Sequence, residues 1–219
     1  MLTQAQILAI LNGTLTAVQI TAVGIFFGVI LGMMIALGRI TKNKVLNAIS
    51  WFYIWVFRGT PLLLQLFVFY YALPLFTLDV FDVAIRLPGM ATAYLAFSLN
   101  SAAYLAEIFR SGIQSIDKGQ MEASKALGMS YNQAMFKIII PQSYRRLVPP
   151  LGNELIMLIK DTSLVASLGM FDLLRTVTQM TNATGRTYYY AYAALIYLLL
   201  TSIIQYGFGK MEKKYAAYE

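Results

Sequence analysis

The sequence predicts an all-α integral membrane protein, a bundle of about five transmembrane helices with one polar segment on its cytoplasmic side. Of 219 residues, 58% are hydrophobic and only 12% are charged, which lies far outside the range of soluble domains. The apolar residues form long runs, and a helix needs about 20 such residues to cross the hydrocarbon core. Lysine and arginine concentrate in alternate loops, as multi-pass membrane proteins require.

The apolar runs give five candidate spans within a single domain over residues 1–219. They cover residues 14–38, 51–75, 88–109, 147–168 and 187–209. The first span is expected to be retained, because the polar start MLTQAQ lacks the basic region of a signal peptide. Positive charge follows the first, third and fifth spans, so the N-terminus is predicted outside and the C-terminus in the cytoplasm. The cations of these cytoplasmic segments are Arg39, Lys42, Lys44, Arg110, Lys118, Lys125, Lys137, Arg145, Arg146, Lys210, Lys213 and Lys214.

The composition argues against several classes of function. The chain has no cysteine and no histidine, so thiolate chemistry and the usual zinc, haem and imidazole sites are not expected. It contains no GxxxxGK[ST] phosphate loop, so it should not itself bind ATP in the usual manner. No cofactor is expected in this chain. Its basic residues are spread over several loops and do not line one helix, which argues against nucleic acid. We therefore expect a protein that is not an enzyme.

The first span carries a strip of small residues at every fourth position. These are Gly24, Gly28, Gly32 and Ala36. Such a strip lets another helix backbone approach closely. The partner could belong to a second subunit or to the same chain; the second alternative is favoured, because these strips are common within membrane helix bundles.

The second span contains a glycine and a proline within WFYIWVFRGTPLLLQLFVFYY. Gly59 and Pro61 should break or kink the helix and free backbone carbonyl groups. Arg58 is costly inside a membrane, at roughly 2.5–3.5 kcal/mol, unless it lies near a helix end or is paired. Two interpretations stay open for Arg58. In one, its side chain extends to the cytoplasmic membrane interface; in the other it belongs, together with Thr60, to a substrate pathway through the membrane.

The third span ends in charged residues. Glu107 and Arg110 are three residues apart, share a helix face and are expected to pair. The alternative for Glu107 is a place in a cytoplasmic gate. Asn100, deeper in the same helix, could hydrogen-bond to another helix or face a substrate, and the first role is favoured.

The fourth span holds the strongest candidates for a pathway, since ionisable groups at membrane depth are usually functional. Glu154 and Asp161 are seven residues apart, which is two helical turns, so both carboxylates share one face. Neutralisation by Arg58 or Lys160 is the structural alternative. Asn153, Thr162 and Ser163 complete this polar set, and the pair Pro149–Pro150 is expected to start the span.

The segment that follows, residues 168–186, is amphipathic and too polar to span. It predicts an external helix in the membrane plane, either a lid or a docking site for a delivery protein.

The polar segment 117–141, between the third and fourth spans, predicts two short helices at a defined angle. Asp117 with Gln120 and Ser130 with Gln133 fit capping boxes, and Gly128 fits the left-handed position after a helix. Pro141 is expected to end the second helix. Several apolar side chains in this segment suggest a surface that faces a partner protein. The alternative is a pair of amphipathic helices that rests on the bilayer or on the membrane helices. These apolar side chains are Met121, Leu127, Met129, Tyr131, Met135 and Phe136.

This segment resembles the cytoplasmic EAA loop of permease subunits of ATP-binding-cassette importers. Glu122, Ala123, Gly128, Ile138 and Pro141 fall on the family spacing, and Ser124 stands where the family usually has a second alanine. The strings FRGTPLLLQL and KDTSL are similar to the polar amino acid branch of this family. The resemblance covers most of the chain and is weakest over the first 50 residues.

The resemblance implies a type I importer-like fold in a bacterial-type plasma membrane. It implies cytoplasmic ATP-binding subunits that bind ATP and Mg²⁺, a second permease subunit, expected to form a homodimer, and an external substrate-binding protein. It also implies that the EAA loop receives force from the ATPase. The coupling residues are then Gln120, Met121, Glu122, Ala123, Ser124, Gly128, Ile138 and Pro141.

For the cargo, the resemblance implies a polar L-amino acid. The two carboxylates of the fourth span favour a cationic one, such as arginine, lysine or histidine. The expected pathway residues are Glu154, Asp161, Asn153, Lys160, Thr162, Ser163, Arg58, Thr60, Asn100 and Glu107. A glutamine or glutamate permease would share the same strings. An ion-coupled transporter or channel is a weaker alternative, because no internal repeat is evident, and a membrane scaffold would have no use for charges inside its spans.

Overall fold

The computed structural model describes residues 2–215, and all regular structure within them is helical. The α-helices are α1 (Gln4–Ile40), α2 (Lys44–Gly59), α3 (Leu62–Phe67), α4 (Leu73–Phe81), α5 (Gly89–Gln114), α6 (Lys118–Ala126), α7 (Tyr131–Ala134), α8 (Ile140–Asp161), α9 (Leu173–Thr184) and α10 (Tyr189–Tyr215). Two π-helical segments lie at Val68–Ala72 and Met135–Ile139, and a 3-10 helix covers Thr162–Leu168. The fold is all-α, as the composition predicts.

Three helical segments among the described residues are long and apolar enough to cross a membrane. They are Gln4–Ile40, Leu62–Phe81 and Tyr189–Tyr215. At 26 and 22 residues, α5 and α8 are also long enough, but their polar and charged side chains lower their hydropathy. α5 is the central helix and buries side chains along its whole length. The number of spans and the orientation of the bundle stay predictions.

The small residues of α1 pack against α5 of the same chain. Gly24, Gly28, Gly32 and Ala36 are all buried. A Cβ added to Gly28 would lie 2.9 Å from the Ser101 hydroxyl oxygen, and one added to Gly32 would lie 2.9 Å from the Cβ of Leu105. The close approach is therefore between two helices of one subunit, the alternative that the sequence favours.

Replacing Gly32 with valine is expected to lower the unfolding midpoint of the protein. The new Cβ would also meet the backbone oxygen of Ala102 at 3.0 Å, and a backbone atom cannot rotate away. Overpacking of this kind typically costs about 1–3 kcal/mol. Gly207→Val is the matched control, because nothing lies within 4 Å of a Cβ at Gly207. Thermal unfolding in detergent measures both variants, and equal midpoints would contradict the packing described here.

The helix break predicted in the second apolar run is present. α2 ends at Gly59, Thr60 is extended, and Pro61 stands immediately before α3. Beyond the break the helical path continues through the first π segment to Phe81, past the expected limit at residue 75. The candidate run 51–75 is thus divided between α2 and a longer apolar helical segment.

The helix that follows the polar segment begins earlier than the prolines predict. The chain is helical without a break from Tyr131 to the end of α8, so Pro141 does not end a helix. Pro149 and Pro150 do not start a helix either, because they lie inside α8. Pro141 directly follows Ile140, whose N–H closes the wide π turn to the Met135 carbonyl, so the helix adjusts locally where the proline removes a donor. Pro149 and Pro150 have no N–H group to donate to the carbonyl groups four residues earlier, and both of those residues, 145 and 146, are exposed.

Within the amphipathic stretch 168–186, the helix α9 covers Leu173–Thr184, and its position outside the membrane and in the membrane plane stays a prediction. The Asp172 carboxylate begins this helix by accepting hydrogen bonds from the N–H groups of Leu174 at 2.9 Å and Arg175 at 3.0 Å. Burial raises the pKa of the Asp172 carboxyl, and these hydrogen bonds oppose the rise. Leu173 and Val177 of α9 pack with Ile10 of α1 and with the start of α10. α9 therefore lies across the ends of two long helices.

Candidate functional site

Two amide side chains satisfy the backbone groups freed at the break between α2 and α3. The amide nitrogen of Gln65 lies 2.9 Å from the carbonyl oxygen of Phe57, 3.1 Å from that of Thr60 and 2.9 Å from the Thr60 hydroxyl. Asn100 of α5 donates to the side-chain oxygen of Gln65 at 3.0 Å and to Phe57 at 3.3 Å. The broken helix is thereby fixed to α5, which is the role that the sequence favours for Asn100.

A cleft of about 350 Å³ opens beside this break. It is bounded by the end of α2, the start of α3, the middle of α5 and the last turns of α8. Five residues predicted for the pathway line it: Arg58, Thr60, Asn100, Glu154 and Asp161. The tertiary structure thus brings together polar groups from three regions that are more than 30 residues apart in sequence.

The two carboxylates form no direct ion pair with a cation of the described residues, although Arg58 lines the same cleft. Glu154 is buried, with 8% of its surface exposed, and Asp161 is half-buried. Within residues 2–215 the one ion pair joins Glu107 to Arg110, so neither Arg58 nor Lys160 neutralises these carboxylates by direct contact. The Arg58 guanidinium instead lies over the Tyr104 ring, 5.2 Å from its centroid. A buried carboxylate without an ion pair is a candidate functional group.

A second cleft of about 450 Å³ adjoins the first and shares Arg58, Gly59 and Tyr104 with it. Glu107 lies here, together with Arg39 of α1. The Glu107–Arg110 pair is formed, as the spacing predicts, and both side chains are partly exposed. Glu107 therefore lines the neighbouring cleft, away from Glu154 and Asp161.

Four predicted pathway residues lie outside both clefts. Asn153 and Lys160 are exposed on another face of α8. Thr162 is buried and donates to the Ile159 carbonyl at 2.7 Å, while Ser163 donates to the Lys160 carbonyl at 2.8 Å. Both hydroxyls thus donate to carbonyl groups of the preceding helical turn.

Several residues of the site were not singled out in the sequence, among them Gln65, Tyr104 and Met157. Gln65 fixes the break, whereas Tyr104 and Met157 line the first cleft. The spacing contains a signal for Tyr104, since it lies four residues after Asn100 and so shares its helix face. Met157 lies three residues after Glu154 and follows the same rule. No comparable signal identifies Gln65, whose partners come from the broken backbone.

The polar segment has the predicted joint at Gly128. Gly128 has φ +78°, its N–H bonds to the Lys125 carbonyl at 2.9 Å, and the Met129 N–H bonds to Ser124 at 3.0 Å. This pair of bonds is a Schellman motif, which needs a left-handed residue that glycine adopts readily. It fixes the path from α6 into α7.

One of the two predicted capping boxes is present. At Ser130 both reciprocal bonds with Gln133 form. At Asp117 the prediction is wrong: the carboxylate accepts from the Gly119 N–H at 2.7 Å, and the Gln120 side chain accepts from Gln142 at 3.2 Å instead. The short aspartate side chain bonds its own backbone two residues on, as in an Asx turn.

The apolar side chains of this segment divide into two groups. Met121 and Ile138 pack around buried Met135 and Ile139, and Ser124 is buried as well.

The second group lies on the surface of the α6–α7 corner. Leu127, Tyr131 and Phe136 are exposed, with Leu127 at 83%. Glu122, Ala123 and Gly128 are also exposed. A partner can therefore reach the α6–α7 corner, while Met121, Met135, Ile138 and Ser124 face inward. Gln120 is exposed, and half-buried Pro141 lies at the start of α8.

Named transport proteins are similar in sequence to this chain over most of its length. An arginine transport system permease protein of Bacillus subtilis is 39% identical, over 95% of this chain and 93% of its own length. A protein of Rickettsia felis that carries the name of a glutamine transport system permease is 35% identical, over 95% and 94% of the two chains. Sequence similarity therefore extends across the cleft and the polar segment.

Solved structures share the fold. A crystal structure of an amino acid ABC transporter with histidines matches with a TM-score of 0.85 and 34% identity, over 94% of each chain. An inward-facing methionine ABC transporter matches with a TM-score of 0.78 at 19% identity, which shows the fold alone. Residues 24–215 match the family described as the inner membrane component of binding-protein-dependent transport systems. The chain therefore belongs to this family of inner-membrane transport subunits and has the fold of type I ABC importer permeases.

Proposed function

We propose that this chain is the permease subunit of an ATP-driven importer of polar amino acids, and that its cargo is cationic, such as arginine, lysine or histidine. The observation that carries the choice of cargo is the cleft at the α2–α3 break. Glu154 and Asp161 line it without a direct ion pair, while Arg58, which lines the same cleft, lies over the Tyr104 ring. A guanidinium or ammonium group of the cargo would form the ion pair that these carboxylates do not make within the chain.

The α6–α7 corner is the proposed contact with a separate ATPase. It exposes Glu122, Ala123 and Gly128 next to the apolar side chains of Leu127 and Phe136. Capping bonds and the Schellman motif hold this corner in one shape. Closure of the ATPase on ATP would move the corner and, through the second π segment, α8 with its two carboxylates.

The proposed assembly contains two cytoplasmic ATPases, a second permease subunit and an external substrate-binding protein. ATP and Mg²⁺ would bind to the ATPases. A second copy of this chain is the expected permease partner, because one small bundle encloses little space. An external binding protein would meet the end of the bundle that α9 covers.

A glutamine or glutamate importer is the second candidate. Asn100 and Thr60 line the same cleft and can hydrogen-bond a neutral amide. A relative with a glutamine permease name is nearly as similar to this chain as the arginine permease. The two candidates differ in what they require of Glu154.

Replacing Glu154 with glutamine tests the choice of cargo. If the carboxylate binds a cation, uptake of arginine should fall about tenfold or more, because a charged hydrogen bond is worth about 1.5–3 kcal/mol. Uptake of glutamine should change much less. The measurement is initial uptake of each radiolabelled amino acid into proteoliposomes that contain the complete transporter.

The matched control is Glu212→Gln, which removes an exposed carboxylate near the end of α10. It should leave both uptake rates unchanged. Equal losses of arginine and glutamine uptake in Glu154→Gln would refute the cationic assignment. An importer function would still stand in that case, because it depends on ATP-dependent uptake by the unaltered protein.

A further inference from the structure

We propose that a basic cleft at the corner between α1 and α2 binds the phosphate group of an anionic glycerophospholipid in the cytoplasmic leaflet. The cleft has a volume of about 410 Å³. Arg39, Lys42 and Lys44 supply its charge, Thr41 and Asn47 add polar groups, and Trp51 forms one side. Neither aspartate nor glutamate is among its lining residues.

The positive charge of this corner has no counterpart nearby in the sequence. The first 78 residues contain no aspartate or glutamate, and the first acidic residue is Asp79. Glu107 shares the neighbouring cleft with Arg39, but it is already paired with Arg110. Arg39, Lys42 and Lys44 form no ion pair within the described part of the chain. An external anion would therefore neutralise a charge that the subunit itself leaves uncompensated.

The corner is also held in a fixed shape. The Asn47 side chain donates to the Arg39 carbonyl at 2.6 Å, and the Arg39 guanidinium donates back to the Asn47 side-chain oxygen. The side chain of Asn43 accepts from the N–H groups of Val45 and Leu46. The first turn of α2 is thus already capped, so the cationic side chains, and not the helix end, would bind the anion. A positioned arginine with two lysines suits a phosphate group.

The surroundings of the cleft favour a lipid over dissolved phosphate. Trp51 is amphipathic and half of its surface is exposed, as is typical of residues at a membrane interface. The α2 surface next to it exposes Val45, Ile49, Phe52 and Trp55. A headgroup held at the corner would therefore place its acyl chains along an apolar helix face. Basic pockets on the cytoplasmic side of a helix bundle bind anionic headgroups in this way.

Native mass spectrometry of the full chain, alone and assembled with its ATPase, tests this proposal. The protein is equilibrated with equal amounts of phosphatidylglycerol and phosphatidylcholine that carry the same acyl chains. Phosphatidylglycerol should remain bound preferentially. Lys42→Gln with Lys44→Gln should weaken its binding by about 30-fold, since each basic residue near the surface contributes about 1 kcal/mol.

The matched control is Lys213→Gln with Lys214→Gln, which removes the same charge from the exposed end of α10. It should weaken binding by less than about threefold, because neither lysine lines the cleft. Equal retention of both lipids, or equal losses from the two double variants, would overturn the proposal. Displacement of the lipid by millimolar inorganic phosphate would identify a site for free phosphate. Loss of the lipid when the ATPase is added would show that the ATPase covers the cleft. Either of these results would also overturn the proposed lipid site.

Discussion

Replacing Gly128 with valine is expected to uncouple ATP hydrolysis by the ATPase from amino acid uptake, while membrane insertion stays intact. Gly128 has φ +78°, a conformation that β-branched residues avoid. The space around it is open, since nothing lies within 4 Å of a Cβ built there. The cost is therefore one of backbone conformation, about 1–3 kcal/mol, and it is relieved by changing the angle between α6 and α7.

The measurement is the ratio of amino acid transported to ATP hydrolysed in proteoliposomes. We expect this ratio to fall severalfold in Gly128→Val. Gly128→Asn should retain most of the coupling, because asparagine tolerates the left-handed conformation. Gly207→Val supplies a control with the same change of side chain at an open helical site. Full coupling in Gly128→Val would show that the Schellman joint does not set the contact with the ATPase.

Replacing Gln65 with leucine is expected to destabilise the α2–α3 break and to impair transport. Leucine fills similar space but offers no donor to the carbonyls of Phe57 and Thr60 and no acceptor to Asn100. Each buried group left without a partner costs about 1–3 kcal/mol. The unfolding midpoint should fall, and uptake should fall more than the amount of folded protein explains, because these bonds shape the cleft.

Gln19→Leu is the matched control, since Gln19 is an exposed residue of α1. It should leave both the unfolding midpoint and uptake unchanged. A double-mutant cycle with Asn100→Leu checks the mechanism: the two losses should not add, because the side chains share one hydrogen-bond network. Additive losses would show that Gln65 and Asn100 act independently.

Local rules predicted those parts of the fold that depend on residues close in sequence. The break at Gly59 and Pro61, the joint at Gly128, the capping box at Ser130 and the Glu107–Arg110 pair are all present. Each of these features needs only a few neighbouring residues and a backbone preference. For the same reason the small-residue strip of α1 was identified from its period alone.

The cleft could be predicted only in part, because three distant segments form it. Helical periodicity placed Glu154 and Asp161 on one face, but it could not show that Arg58 stacks on Tyr104 instead of pairing with them. The role of Gln65 was hidden because its partners are backbone carbonyls of another helix. Asn153 and Lys160 were included for their polarity, although the structure turns them away from the cleft.

The two π segments have a consequence for how helix faces are counted. Each contains the wider hydrogen bond of a π turn, from Leu73 to Val68 and from Ile140 to Met135, and each ends two residues before a proline. A π turn holds one residue more than an α turn, so the phase of everything beyond it shifts by about 100°. A helical wheel drawn straight from Tyr131 would assign Glu154 to the wrong side of α8. The orientation of the carboxylates relative to the α6–α7 corner therefore depends on one extra residue.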